Sequence, residues 1–276
     1  MSIKNLEKGF FSNKIGRIYY EFYRTGKSDM PTLVFIHGNT LDLRSWQPQV
    51  DYFQDKFNIL TYDMRGFGKS DIPLLPYSRD KDLVDLMDYL GINKPIIVGV
   101  SLGALVALDV VNNYPKEFLG LILMDPVISG WNKNTESGRY WGRLIDVVKK
   151  DGLEKGKEFW LKIGMFDELR KNPEALGLVS RMLEVYNGWN WMYEDKRVHP
   201  KIMPTDNLSN ITIPTLIIYG EKDLIEFKEC SEWLHKFITT SEIVKVPGVG
   251  HLPNIEAPKL INSLIVKYNQ LLTNNK

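Results

Sequence analysis

The chain has 276 residues, enough for one large or two small domains, and its apolar fraction of 43% suits a globular protein with a sizeable core. A net charge of +1 leaves no electrostatic footprint for nucleic acid or for an anionic membrane surface. Met1 to Glu7 lack the apolar run of a signal sequence, no stretch is long enough to span a bilayer, and the lone Cys230 forms no internal disulfide, so a cytoplasmic protein is expected.

Residues 14–23 alternate well enough for an opening antiparallel strand. The apolar run Thr32 to Ile36 predicts the first parallel strand, closed by His37-Gly38-Asn39-Thr40. A second run, Phe57 to Tyr62, leads into Asp63-Met64-Arg65-Gly66-Phe67-Gly68-Lys69-Ser70, which ends like a phosphate-binding loop. Asp63 stands where that motif needs its first glycine, and Pro73 and Pro76 follow where its helix must start, so the segment reads as a tight turn tied down by Arg65. Leu83, Leu86, Met87 and Leu90 share one helical face, and Gly91 ends that helix. Strand-like runs alternating with helical patterns predict a parallel α/β sheet.

The most informative stretch follows the apolar run Pro95 to Val98. Gly99-Val100-Ser101-Leu102-Gly103 leads directly into the helical pattern Leu102, Leu105, Leu108, Val111. A G-x-S-x-G between strand and helix is a nucleophile elbow, with the serine exposed above the sheet and unpaired helix N–H groups beside it. Ser101 is therefore the candidate nucleophile. The Leu102 N–H, next after it, and the Asn39 N–H, in the loop after the first parallel strand, are the candidate oxyanion donors.

The run Leu119 to Met124 ends at Asp125, and there the regular rhythm breaks. Residues 127–207 hold five of the seven tryptophans at helical spacings such as Trp141, Leu144, Ile145, Val148 and Met182, Val185, Tyr186, Trp189. We read this as a helical cap inserted into a core of residues 1–126 and 208–276. A small cap over a sheet makes an apolar cleft, so Trp131, Trp141 and Trp189 are candidate substrate contacts and a small, largely apolar substrate is expected. No arginine cluster points to a multiply charged one.

Beyond the cap, the strand Ile213 to Tyr219 ends in Gly220-Glu221-Lys222-Asp223, which puts Asp223 just past a strand's carboxyl end as candidate acid. Its competing role is to cap the helical segment 226–237; Asp125 is the reserve acid and Glu221 a weaker third. Of the four histidines, His37 precedes the serine, His199 lies in a polar loop, and His235 falls in a helical pattern. His251 sits in the Gly- and Pro-punctuated loop 247–253 after the strand 242–246, where it can reach back over the sheet as candidate base. No Cys and His cluster has zinc-ligand spacing, so neither metal nor cofactor is expected.

Taken in order, His37-Gly38-Asn39, the segment 63–70, the elbow at Ser101, Gly220 to Asp223, and Gly250-His251 with Pro253 and Glu256-Ala257-Pro258 resemble the α/β-hydrolase superfamily along nearly the whole chain. The resemblance implies a mostly parallel eight-stranded sheet with helices on both faces and a small helical cap. It also implies a serine-hydrolase triad of Ser101, Asp223 and His251, most similar to small esterases, enol-lactonases and cofactor-free haloperoxidase-type proteins. A serine rather than an aspartate at the elbow argues against epoxide hydrolase and dehalogenase chemistry. Leu252 after the histidine argues against the carbon–carbon bond hydrolases. The expected activity is cleavage of small ester or lactone substrates through an acyl-enzyme. The alternatives are a small-molecule receptor with slow turnover, an acyltransferase or perhydrolase, or a carbon–carbon bond hydrolase with the same triad. Oligomeric state is not set by the sequence.

Overall fold

The computed structural model describes residues 6–26, 30–114, 117–130 and 135–274. They form one eight-stranded sheet built from β1 (Leu6–Asn13), β2 (Gly16–Tyr23), β3 (Thr32–Ile36), β4 (Asn58–Tyr62), β5 (Ile96–Val100), β6 (Gly120–Met124), β7 (Thr215–Gly220) and β8 (Ser241–Val246). The spatial order is β1-β2-β4-β3-β5-β6-β7-β8; β1 pairs antiparallel with β2, β2 antiparallel with β4, and the remaining pairs are parallel. The opening hairpin strand β1 has no counterpart among the strands read from sequence. It is a half-exposed edge strand whose charged Glu7 and Lys8 obscure its alternation.

Every residue of β3, β5, β6 and β7 is buried, which is why these strands read as continuous apolar runs rather than alternating ones. The helices in chain order are α1 (Gln47–Phe53), α2 (Arg79–Tyr89), α3 (Leu102–Asn113), α4 (Glu136–Asp151), α5 (Leu153–Trp160), α6 (Pro173–Val185), α7 (Trp189–Met192), α8 (Pro204–Asn207), α9 (Ile225–Phe237), α10 (Pro253–Glu256) and α11 (Pro258–Asn274). The connection through α1 runs from β3 toward one edge of the sheet, whereas those through α2, α3 and α9 run toward the other. Right-handed crossovers then put α1 on one face, beside α11, and α2 with α3 on the opposite face. The reversal falls between β3 and β5, so a crevice opens at their carboxyl ends, the usual ligand site of such sheets.

The 63–70 segment is a turn, as the prolines that follow it, Pro73 and Pro76, lead one to expect. Asp63 accepts the Leu43 and Lys69 N–H groups at 2.8 Å each, and Arg65 Nε donates to Asp82 Oδ2 at 2.8 Å in a buried pair. Between β6 and β7 the chain makes α4 to α8. The helix read through Met182, Val185, Tyr186 and Trp189 stops at Val185, because Tyr186 is extended and Gly188 is left-handed at φ 69°. No helix of the described residues is long and apolar enough to cross a membrane.

Candidate active site

Ser101 stands between β5 and α3 with φ 53° and ψ −116°, a strained conformation for a residue with a side chain. Its N–H donates to the Met124 carbonyl at 2.8 Å, anchoring the turn to β6. The elbow works only because of its two glycines. A methyl at Gly99 would run into the backbone of Gly103, and one at Gly103 into the Ile36 carbonyl oxygen, so α3 could not approach β5 and β3 otherwise. The helix's own bonding begins with Ala104 N donating to Ser101 O at 2.9 Å, which leaves the Leu102 N–H outside that ladder at the positive end of α3.

The loop after β3 is set by His37, which is fully buried. The Met64 N–H donates to its Nε2 at 3.0 Å, so the ring proton sits on Nδ1 and is donated to the Gly38 carbonyl at 2.8 Å. Burial pulls this imidazole down to about 4, which keeps it neutral. In a trans peptide the C=O and the next N–H point opposite ways, so turning the Gly38 carbonyl toward His37 turns the Asn39 N–H away from it. Two contacts from the region between β6 and β7 brace the same loop. Trp160 Nε1 donates to Thr40 Oγ1 at 2.9 Å, and Asn190 Nδ2 donates to Asn39 Oδ1 at 3.1 Å. Thr40, at φ 63°, in turn donates its hydroxyl to the Asn39 carbonyl at 2.6 Å.

On the other side of the elbow, His251 Nδ1 and Asp223 Oδ2 lie 2.7 Å apart, both side chains buried. Asp223 Oδ1 accepts the Leu224 N–H at 2.7 Å, and α9 starts two residues later, so Asp223 orients the imidazole rather than capping the helix through N2 or N3. Glu256 clamps the histidine loop from beneath by accepting the Gly250 N–H at 2.7 Å and the Leu252 N–H at 3.0 Å, one on each side of His251. The Phe227 ring packs 4.2 Å from the imidazole.

Asp125 joins this group. It follows β6 at φ 42°, is fully buried, and accepts the Gly220 N–H at 2.9 Å through Oδ1, while Oδ2 has no partner. Burial, and then the neighbouring Asp223, hold its carboxyl well above the usual carboxylate range. Asp125, Asp223 and His251 present atoms within 4.8 Å of one another, the one set among the described residues spaced to share a cation. The 2.7 Å separation of Nδ1 and Oδ2, however, is that of a charge-assisted hydrogen bond. Glu221 lies apart, partly exposed, and accepts the Gly248 N–H at 3.1 Å. His235 lies on α9 with its Nδ1 2.9 Å from Ser241 Oγ, and His199 is exposed.

Ser101, Leu102, Asn39 and His251 line one cavity of about 370 Å³. Its wall from the stretch between β6 and β7 is aromatic. Trp141 lies on it, as does Trp160, edge-on to Trp141 at 6.3 Å and to Phe166 at 5.5 Å. Trp189 does not. It is 1% exposed and packs on Phe67 and on Gly66, where a methyl would overlap its indole, because the helix break at Tyr186 to Gly188 turns it toward the 63–70 segment. Trp131 lies outside the described residues. No arginine cluster stands out in the sequence, yet Arg79, Asp195 and Arg197 line the same cavity. Arg79 and Arg197 are far apart in sequence and are brought together by the bridge between Tyr77 and Arg197 and by Asp195.

A family model described as the alpha/beta hydrolase family matches residues 33–264. Among curated relatives, 3-oxoadipate enol-lactonase 2 of Acinetobacter baylyi is 26% identical over 249 residues, covering 87% of this chain and 89% of that protein. A thermophilic esterase from Thermogutta terrifontis, solved with malate bound, superposes with a TM-score of 0.77 at 26% identity over 97% of this chain and 99% of that one. The enol-lactonase from Burkholderia xenovorans shares the fold with a TM-score of 0.80 at 19% identity, over 95% of this chain and 100% of that one.

Proposed function

The chain belongs to the alpha/beta hydrolase family and has esterases and enol-lactonases among its relatives; from that premise we propose that it is a serine hydrolase of small carboxylic esters or lactones, acting through an acyl-enzyme on Ser101. The observation that carries the reading is the 2.7 Å pair of His251 Nδ1 and Asp223 Oδ2 on the cavity that Ser101 also lines. With Nδ1 engaged, His251 Nε2 takes the Ser101 proton as the hydroxyl attacks the carbonyl. Asp223 holds the tautomer and stabilises the imidazolium that forms. The Leu102 and Asn39 N–H groups receive the oxyanion, helped by the positive end of α3. His251 then returns the proton to the leaving alkoxide oxygen, which in a lactone stays tethered to the acyl group. Water activated by the same imidazole releases the acid. Asp125, whose carboxyl burial and then Asp223 hold well above the usual carboxylate range, lies beside this pair. Residues 127–207 serve as a cap over a core of residues 1–126 and 208–276, and the presence of Trp141 and Trp160 on the cavity wall supports that division.

Intact-mass spectrometry after a fluorophosphonate probe, with a panel of esters and lactones, tests the reading. One adduct on the unaltered protein and none on Ser101→Ala is expected, with a loss of about 10⁴-fold or more in ester turnover. Near-unaltered turnover by Ser101→Ala would overturn it.

A further inference from the structure

The ionic part of the cavity wall has an unbalanced charge. Asp195 is already committed: its Oδ1 accepts the Tyr77 hydroxyl at 2.9 Å and the Arg197 N–H at 3.1 Å, and its Oδ2 accepts Arg79 Nη2 at 2.7 Å. Arg79 is 7% exposed, and its buried Nε has no partner. Arg197 lines the same cavity, and among the described residues it has no carboxylate within ion-pair distance. Its surroundings disfavour its charge, with burial the larger cause and the Arg79 cation next. Asp109 also lies nearby, but its Oδ2 accepts the Ser129 hydroxyl at 3.1 Å and its Oδ1 has no partner, so it bonds neither guanidinium. Burial also pushes Asp109 up to about 7, so it is an incomplete counter-charge at neutral pH. Two arginines therefore line the cavity beside one carboxylate whose oxygens are both already bonded.

Such a site lacks one negative charge. A guanidinium offers a planar fork of donors that matches a carboxylate. A net excess of about one cation suits a monoanion better than a phosphate dianion, which carries close to two charges at pH 7. A cavity of about 370 Å³ lies at the small end of ligand pockets, so the ligand is compact. We propose that the substrate is a small ester or lactone that carries a free carboxylate away from its scissile carbonyl, and that Arg197, assisted by Arg79, binds this carboxylate. The proposal rests on the serine-hydrolase reading for the reaction, but not for the binding.

The test compares two substrates of the same five-carbon acyl chain length, monomethyl glutarate and methyl pentanoate, by kcat/KM at about pH 7. The unaltered protein should favour the charged ester by about 10-fold or more. Arg197→Gln should bring that ratio down toward one, and Arg197→Lys, which keeps the charge but loses the fork, should fall between. Free glutarate should raise the melting temperature of the unaltered protein and not that of Arg197→Gln. A preference for methyl pentanoate, or an equal loss on both esters in Arg197→Gln with an unchanged ratio, would overturn the carboxylate site. Absence of fluorophosphonate labelling at Ser101, with the Arg197-dependent glutarate shift intact, would overturn the acyl-enzyme reading and uphold the site.

Discussion

The loops at the carboxyl edge of the sheet and the helical stretch between β6 and β7 both border the cavity, but they are held in place by different kinds of interaction. In the loops, what is held is the backbone itself: Ser101 and Asp125 take positive φ at strand ends, the His37 ring bonds the Gly38 carbonyl, and Glu256 bonds the N–H groups on either side of His251. The helical stretch reaches that machinery through side chains, such as Trp160 on Thr40 and Asn190 on Asn39. Backbone placement gives chemistry little freedom to drift, whereas side-chain packing can change with the substrate. The comparison predicts that damage to the loops removes turnover or the fold, and that damage to the helical stretch mainly alters efficiency and choice.

The largest effect is expected at Asp223. Asp223→Asn keeps the size and one acceptor but favours the wrong imidazole tautomer, so kcat for a small ester should fall about 10⁴-fold, with the melting temperature little changed. Asp125→Asn should cost far less. It puts a neutral amide of the same shape where burial already disfavours the charged carboxylate, and asparagine tolerates a positive φ better than most residues. Equal losses in the two variants would mean that the acid is a shared pair, and the loops would then be less sharply specified than the comparison holds.

Next comes His37, whose effect is on stability. Its folded value of about 4 lies below the ordinary 6.5, so between those values the unfolded chain binds the proton that the folded chain refuses. Its contribution is therefore present above pH 6.5 and lost as pH falls toward 4, by about 3 kcal/mol over a shift of that size. Asp63 and Asp109, both pushed up to about 7 by burial, act in the opposite sense: their folded forms hold protons that the unfolded chain releases above about 3.8, so they favour the fold as pH falls. The raw stability curve thus mixes both signs. The informative quantity is the difference between the unaltered protein and His37→Gln in urea melts from pH 4 to 8, which should grow with pH and level off above 6.5. A pH-independent difference would mean that His37 is not held neutral.

What was legible in the sequence follows the same division. Ser101, Asp223 and His251 were legible as candidates because each lies in the segment that follows a strand's carboxyl end, and the two elbow glycines mark a close approach that only glycine allows. Glu256 was visible as part of a motif, but its grip on the His251 loop was not. The parallel strands announced themselves as apolar runs, while the edge strand β1, half exposed and charged, did not. In the helical stretch, periodicity found the helices but not their faces. Trp141 and Trp189 carry the same signal, yet one lines the cavity and the other packs on Gly66, because a left-handed Gly188 redirects the chain. Arg79 and Arg197 left no signal, because it is the fold, through the bridge at Tyr77 and through Asp195, that brings them together.

The smallest effects separate two tryptophans that touch each other. Trp160→Phe keeps the ring but removes the indole N–H that donates to Thr40, next to the Asn39 peptide. If that bond steadies the oxyanion donor, kcat should fall about 10-fold, equivalent to about 1.4 kcal/mol, with KM little changed. Trp141→Leu removes only part of a half-buried wall, since Trp141 faces the cavity and Trp160 without bracing the loop. Losing a few tens of Å² of apolar contact amounts to about 1 kcal/mol or less, so KM for methyl pentanoate should rise a few-fold with kcat held. Steady-state kinetics on both variants decide the matter. A kcat loss in Trp141→Leu as large as that in Trp160→Phe would mean that the aromatic wall positions the reacting groups, and the helical stretch would then belong to the machinery rather than to its selectivity.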